Sequence, residues 1–468
     1  MLLILAKAIT PKTYLQPLLF YRFSIAHLGC KTNVAHVNPS RRSFLKASTA
    51  FGPLIVKSSV LGNDKRSTPN ERVNLACIGT GNMGTNNLKA FLRDERVQVV
   101  AICDVDDKHR ANALNIAGLK TSDGYRDFRQ IINRPDIDAV MIATPDHWHS
   151  YITIAAANAG KDIYCEKPLA ASITEGRIAT NAVTKNKRVL QCGTWRRSGI
   201  YTRWACELVQ NGYIGKLRSI EVGVLGTFRI RGGYTGLEPP EPVPDHFDYE
   251  MWKGPTADAP YTAARCHFNF RWINQYAPGY VTDWGVHFLD VAQWGNDTDH
   301  TTPVAVRATD IVRRNQGIYD AAESFHIDYL YENGVEMTFF STDENEKLGV
   351  KFIGDEGWVF TQDSVFKTYP ENLRTNRIKN SDKRLYVSTN HHRNFIDSVF
   401  SRHPTASPIE TAHRAASCCH IGAIAAEQPG EELKFDPVNE SFIGNSQANR
   451  MLRRPMRDRW SVYKTDSI

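Results

Sequence analysis

The sequence predicts an α/β protein whose first folded half is a doubly wound parallel sheet and whose second half is rich in hairpins. Three observations carry this prediction. Between residues 73 and 104 an apolar strand runs into a glycine loop, a helix, a second strand and an acid. Strands and helices then alternate as far as Cys192, the pattern of a parallel sheet with crossover helices. Beyond residue 304 the strands come at hairpin spacing, with Glu332-Asn333-Gly334 as a turn signal.

Length and charge set the outer bounds. A chain of 468 residues, 42% hydrophobic and 23% charged, has room for two or three domains and the composition of a folded globular protein. No apolar run reaches the roughly 18–20 residues of a spanning helix, which excludes a polytopic membrane protein. The formal charge of +7 is concentrated at one end: residues 1–70 hold ten of the 57 Lys and Arg but one of the 50 acids, Asp64. The remainder is near neutral and carries no basic stripe, so no nucleic-acid partner is expected. The nine cysteines include no C-x-x-C pair, and no Cys/His cluster has ligand spacing. Neither a disulfide framework nor a metal site is expected.

Residues 1–70 read as a leader and linker. Ser40-Arg41-Arg42-Ser43-Phe44-Leu45-Lys46 resembles the twin-arginine export signal along the whole heptad, with residues 1–39 upstream of it. A mildly apolar stretch follows from Ala47 to Leu61, broken by Lys57, then a polar linker from Asn63 to Asn70. The expectation is export of an already folded protein to the periplasm, with the export machinery as a partner. A leader without function would leave the protein in the cytoplasm.

Residues 71–195 read as a dinucleotide-binding unit. Val73–Ile78 is an apolar, strand-forming run that enters Gly79-Thr80-Gly81-Asn82-Met83-Gly84, and a helix follows to about Arg93. The second strand, Val97–Cys103, ends at Asp104. Gly79 permits the tight turn, Gly81 clears the approach of a pyrophosphate, and Gly84 lets the helix pack on the strand. Asn82 and Met83 lie in the same loop, where the helix start offers free N–H groups to the phosphates. Asp104 accepts from both ribose hydroxyls and repels a 2′-phosphate, which favours NAD over NADP.

Three further strands end in polar clusters. Asp138–Thr144 runs into Pro145-Asp146-His147-Trp148-His149, Asp162–Cys165 into Glu166-Lys167-Pro168, and Val189–Cys192 into Gly193-Thr194-Trp195-Arg196-Arg197. Ligands of doubly wound sheets sit beyond the carboxyl ends of the strands, so these clusters converge where the nicotinamide lies. Pro168 holds Lys167 extended. A partly desolvated Lys167 near that ring can share a proton with a substrate hydroxyl.

At this point the sequence resembles the Gfo/Idh/MocA oxidoreductases, the family of glucose–fructose oxidoreductase and inositol dehydrogenase. The matching residues are Gly79-x-Gly81-x-x-Gly84, Asp104, Thr144-Pro145-x-His147, Glu166-Lys167-Pro168 and Asp283-x-x-x-His287, over roughly residues 72–460. The resemblance implies a Rossmann domain with Thr144, Pro145, His147 and Glu166 at its cofactor site. It further implies an α/β domain over 196–468 with a large open, mainly antiparallel sheet that often mediates homo-oligomers. The implied chemistry is hydride transfer between NAD(P) and a sugar or cyclitol carbon.

In the second half, Lys216–Leu225 reads as a strand and residues 226–278 as a long irregular stretch. Such a stretch is either a wall or lid of the substrate pocket or a surface insertion. Asp283, His287 and Asp290 recur at i, i+4 and i+7, which predicts one polar stripe on a helix. Strands return at Val304–Val312, Ser324–Tyr331, Val335–Ser341, Lys351–Ile353 and Trp358–Thr361, and helices at His391–Phe400 and Ile409–Ala426. The arginines at 450, 453, 454, 457 and 459 read as a solvated face, with an interdomain or intersubunit clamp as the alternative.

Alcohol oxidation needs a base for the hydroxyl proton and a balance for charge developing on oxygen. His287 is assigned as the base, Asp283 as its orienter or a hydroxyl ligand, and Lys167 as the donor to the reacting oxygen. Trp195, Arg196 and Arg197 are candidates for the pocket rim. Trp284 departs from the small or aliphatic residues frequent in the family and is a candidate to stack on a sugar face or to narrow the site. Two reactions fit these groups. One is net dehydrogenation of a carbohydrate. The other is glycoside hydrolysis through oxidation, elimination, hydration and reduction on a tightly bound NAD. A non-catalytic sugar-binding module is the third reading, against which the intact Lys167, Asp283 and His287 count.

Overall fold

The computed structural model describes residues 71–464 apart from Arg377. The twin-arginine heptad lies outside the described residues.

Six strands form the first sheet: β1 (Val73–Ile78), β2 (Val97–Cys103), β3 (Gly124–Tyr125), β4 (Ala139–Ile142), β5 (Asp162–Cys165) and β6 (Leu190–Cys192). Their order is β3-β2-β1-β4-β5-β6, and every pair is parallel. The order reverses between β1 and β4, the switch point at which such sheets bind ligands. Both faces are covered, so these strands read as continuous apolar runs. Alternate residues feed separate cores: Ala76, Ile78, Val140 and Ile142 pack on one side, Leu75, Cys77 and Met141 on the other.

The second sheet has nine strands: β7 (Leu217–Leu225), β8 (Ala305–Val312), β9 (Ser324–Leu330), β10 (Glu336–Thr342), β11 (Gly349–Gly354), β12 (Trp358–Gln362), β13 (Val365–Tyr369), β14 (Glu432–Asp436) and β15 (Ser441–Phe442). The order is β13-β12-β11-β7-β10-β9-β8-β14-β15, antiparallel except for the β7–β10 pair. That pair is parallel because the chain between its strands crosses over through a helix, Gly285–Gly295. Along β9, Phe325, Ile327 and Tyr329 face the core, while Asp328 and Leu330 face out. The helices Gly285–Gly295 and Ile409–Ala425 lie on the inner face within one hydrophobic core. The helix approaches the sheet closely at Gly422, where a Cβ would come within 2.1 Å of the Tyr329 hydroxyl.

The stretch 226–278 is ordered by aromatic packing, with Phe228 stacked on Trp272 at 4.4 Å. It docks onto the first sheet: Asp107 N–H donates to His246 O (2.9 Å), Asp248 N–H to Val105 O (3.0 Å), and Trp148 Nε1 to Met251 O (3.1 Å). It is therefore a wall built across the carboxyl end of β2.

The arginine-rich end corrects the reading of a solvated face. Arg454 Nε donates to Glu175 Oε1 at 2.6 Å, and its Nη2 to His147 O at 2.8 Å. Arg457 Nε donates to Gly254 O at 2.7 Å, Arg459 pairs with Glu250, and Trp460 packs against Phe128, Trp148 and Tyr151. Arg450, Arg453 and Arg459 remain exposed. A linear charge run cannot reveal a buried carboxylate such as Glu175, and it is this acid that turns the segment into a clamp. The eight described cysteines are all buried and free, consistent with small apolar core residues.

Candidate active site and dinucleotide cleft

The glycine loop shows three different spatial demands. Gly79 has φ +81°, and a Cβ there would meet Thr144 N at 2.6 Å and the Ala143 carbonyl at 2.7 Å. At Gly84 a Cβ would sit 2.0 Å from Gly79 O, so the helix start presses on the loop itself. Around Gly81 the space is open, with His109 at 3.8 Å the nearest neighbour. The helix Asn82–Phe91 begins at Gly81 with no side-chain cap and no acid in its first turn. Its first N–H groups and positive dipole end therefore face the opening, as an anion site requires.

Asp104 is buried at the end of β2, and its Oδ2 accepts from Thr80 N–H (2.6 Å) and from the Thr80 hydroxyl (3.1 Å). Its Oδ1 accepts from Asp106 N–H at 2.9 Å. The carboxylate is thus locked against the glycine loop. A cavity of about 660 Å3 opens here, lined by Gly79, Gly81, Asn82, Met83 and Asp104. Thr144, Pro145, Glu166 and Lys167 continue its wall. Residues of the 226–278 stretch, among them Tyr234, Phe247 and His267, close its far side. Glu166 is held by Asn87 Nδ2 at 2.8 Å, and burial pushes its carboxyl up. Gly193 makes room for it, since a Cβ would come within 2.7 Å of Oε2.

His147 does not line this cavity. Its Nε2 lies 2.8 Å from Trp252 O, and burial drives its pKa down to about 3, so it is a neutral core histidine that fastens the 226–278 stretch. His149, two residues on, lines the cavity instead, with its ring nitrogens 2.8 Å from Thr144 O and 2.6 Å from Pro168 O. On a helix beginning at Asp146, residues two apart point to different sides, and tertiary packing chose between them.

Lys167 Nζ donates to Asp283 O at 2.6 Å and to Asp283 Oδ1 at 2.8 Å. Arg271 Nε donates to the same Oδ1 at 3.0 Å. Burial raises the Asp283 pKa, but Lys167 and Arg271 outweigh it and bring it down to about 2. His287 is buried, and its Nδ1 has no partner among the described residues. Burial, then the charges of Lys167 and Arg196, push its pKa well below the usual imidazole value. The imidazole is therefore neutral, the form in which a base can accept a proton. Trp195, 42% exposed, and Trp284 flank it, each with its ring 6.3 Å away and edge-on.

The predicted stripe does not form. Asp283 precedes the helix Gly285–Gly295, its N–H bonded to Gly279 O at 3.0 Å in a separate turn. Asp290 is fully buried and accepts from Arg197 Nε at 2.8–2.9 Å. Arg197 also pairs with Asp299 at 2.7 Å and is a structural tie, not a rim residue. Arg196 is buried too, paired with Asp363 at 2.9 Å and set over the rings of Trp195 and Phe288. Besides His149, two groups were missed. Arg271 lies in a stretch with no periodicity to mark it. Asp146, the first residue of the helix that follows β4, could have been found by position: it lines the cavity, its Oδ2 has no partner among the described residues, and burial raises its pKa to about 7.

Two family models match almost the whole described chain. "Oxidoreductase family, NAD-binding Rossmann fold" covers residues 73–194, and "Oxidoreductase family, C-terminal alpha/beta domain" covers 199–462. The chain belongs to the GFO/IDH/MocA oxidoreductase family. Within it, inositol 2-dehydrogenase of Salmonella paratyphi B is 30% identical over 151 residues, 32% of this chain and 41% of that protein. A glycosyl hydrolase family 109 protein of Stenotrophomonas maltophilia is 27% identical over 308 residues, 58% of this chain and 65% of that protein. The chain therefore spans about two fifths of the length of the inositol dehydrogenase and about two thirds of the other. Aldose-aldose oxidoreductase of Caulobacter crescentus, solved with glycerol, superposes with a TM-score of 0.58 at 18% identity, over 78% of this chain and 100% of that one. At that identity the likeness establishes the GFO/IDH/MocA fold. NAD is the cofactor of the first domain of this GFO/IDH/MocA protein, and the open cradle at Gly81 with the locked Asp104 fits it.

Proposed function

We propose that this protein is an NAD-dependent oxidoreductase acting on a secondary alcohol carbon of a sugar, glycoside or cyclitol. The observation that carries the proposal is the meeting of Lys167, from the wall of the dinucleotide cleft, with Asp283, from the other half of the chain. NAD, when bound, supplies the hydride acceptor or donor. Gly79, Gly81, Asn82, Met83 and Gly84 would hold the pyrophosphate and Asp104 the ribose hydroxyls, with Thr144, Pro145 and Glu166 lining the cleft towards Lys167.

The chain's own groups divide the remaining work. Asp283 stays ionised and keeps the Lys167 ammonium in place. A substrate hydroxyl that takes one of the hydrogen bonds of Lys167 is polarised as its oxygen gains charge. His287, its imidazole kept neutral by burial, accepts the hydroxyl proton. Trp195 offers an apolar face for the ring of a sugar, and Trp284 narrows the site beside it.

Lys167→Ala and His287→Ala, assayed with saturating NAD, test this assignment. Wild-type turnover in both would overturn it. A second reading, glycoside hydrolysis on a retained NAD without net redox change, is favoured by the wall that residues 226–278 build across the cleft and by the hydrolase-named relative. Reduced-cofactor absorbance that accumulates with substrate supports dehydrogenation; sugar release without it supports hydrolysis. We extend the proposal to the leader: the Ser40–Lys46 heptad exports the folded, cofactor-loaded chain. Arg41→Lys combined with Arg42→Lys should then hold the protein in the cytoplasm.

A further inference from the structure

Where the 226–278 wall meets the end of β2, three histidines gather on two aspartates, one of them the Asp104 of the ribose site. Asp106 caps the helix Asp107–Ala117, its Oδ1 accepting from Lys108 N–H at 2.7 Å and His109 N–H at 3.3 Å. Its Oδ2 is left facing His267 Nε2 at 3.5 Å and His246 Nε2 at 3.9 Å. His109 Nδ1 lies 3.9 Å from Asp104 Oδ2, and the rings of His109 and His267 are 4.9 Å apart. One ligand atom from each of Asp106, His109 and His267 lies within 4.8 Å of the others. His267 holds φ +57°, a backbone state that non-glycine residues seldom adopt and that clusters at functional positions.

We propose that Asp106, His109 and His267 bind one divalent transition-metal ion of the Zn2+ class, with His246 at its edge. Two imidazoles and a carboxylate suit Zn2+; Mg2+ and Ca2+ prefer sets made of oxygen. Ligands at about 2.0–2.2 Å from a tetrahedral ion stand roughly 3.4 Å apart, close to the Asp106–His267 separation. The partly exposed His109 ring brings its ligand atom within 4.8 Å of the other two. The buried Asp106 carboxylate supplies negative charge, and the helix cap holds it in orientation. Because Asp106 and His109 follow β2 while His267 belongs to the wall, the ion would pin the wall over the cleft and slow escape of the dinucleotide. This last consequence rests on the cofactor reading above; ion binding itself does not.

The test uses the untagged chain, stripped with a chelator and titrated calorimetrically with ZnCl2. One Zn2+ per chain is expected, with affinity at least tenfold weaker in His109→Ala and His267→Ala. His326→Ala, on β9, should match wild type. Zn2+ should also slow tryptic cleavage within 226–278 in wild type and not in His267→Ala. No stoichiometric binding, or equal affinity in wild type and His267→Ala, overturns the site; the histidines would then be ion-pair partners of the aspartates. NAD release, followed by cofactor fluorescence, should slow with Zn2+ in wild type alone. Zn2+ binding intact in a chain that takes up no NAD would overturn the cofactor reading and leave the metal site standing.

Discussion

Lys167 Nζ lies 2.8 Å from Asp283 Oδ1, although 116 residues separate them. Each half of the protein contributes one member of this pair, so the contact exists only when both halves are docked. Arg271 holds the second flank of the carboxylate.

The pair and the neighbouring imidazole set the first prediction. Lys167→Ala and His287→Ala should each lower turnover by about 10^2–10^4-fold, the usual range for a lost acid–base group. Steady-state assays beside a cofactor-binding measurement check this, because NAD affinity should fall far less than turnover.

Discrimination between cofactors should reside in Asp104. Asp104→Ala removes the acceptor for the ribose hydroxyls and the repulsion of a 2′-phosphate. NAD affinity should drop tenfold or more and the preference over NADP should shrink, as read by fluorescence titration with both dinucleotides. Part of the loss comes from Thr80, whose N–H and hydroxyl both donate to this carboxylate.

Gly84→Ala forces a Cβ to within 2.0 Å of Gly79 O, a backbone atom that cannot swing aside. We expect a stability loss of about 1–3 kcal/mol, the range for overpacking, together with weakened dinucleotide binding. Gly118→Ala makes a useful control, since it has positive φ without neighbours within 4 Å and bears on conformational strain alone.

Acid should destabilise the fold through its buried histidines. His147 and His391 have folded-state values near 3, and His420 near 4, all pushed down by burial. Below about pH 6.5 the unfolded chain takes up these protons and the native chain does not. Stability is therefore full above that pH and falls as pH drops towards 3–4, by about 1.4 kcal/mol per pH unit for each such group. Urea titrations between pH 7 and 4.5 should show this slope, and His420→Asn should make it shallower.

Arg454→Ala would strand Glu175, which is fully buried. Removing one partner of such a pair costs about 3–5 kcal/mol, eased here by Ser150 and Ser172, which also donate to Glu175. Thermal unfolding should show a large drop for Arg454→Ala and almost none for the exposed Arg450→Ala.

The first sheet and the glycine loop were legible because their determinants are local. Backbone freedom at Gly79, a continuous apolar run in β1 and an acid one strand later all lie within a few dozen residues, and each has one physical use. The hairpin strands of the second sheet were legible for the same reason, through alternation and turns. Three features were decided by contacts between distant parts of the chain. Burial turned His147 into a core residue and left His149 on the cleft. Asp290 and Asp299 turned Arg197 inward. Residues 226–278, patternless on paper, became a wall because Val105, Asp107 and Trp148 offered it backbone and side-chain partners. Short-range preferences are written in neighbouring residues, whereas the charge state and reach of a buried polar group depend on whichever partners folding delivers to it.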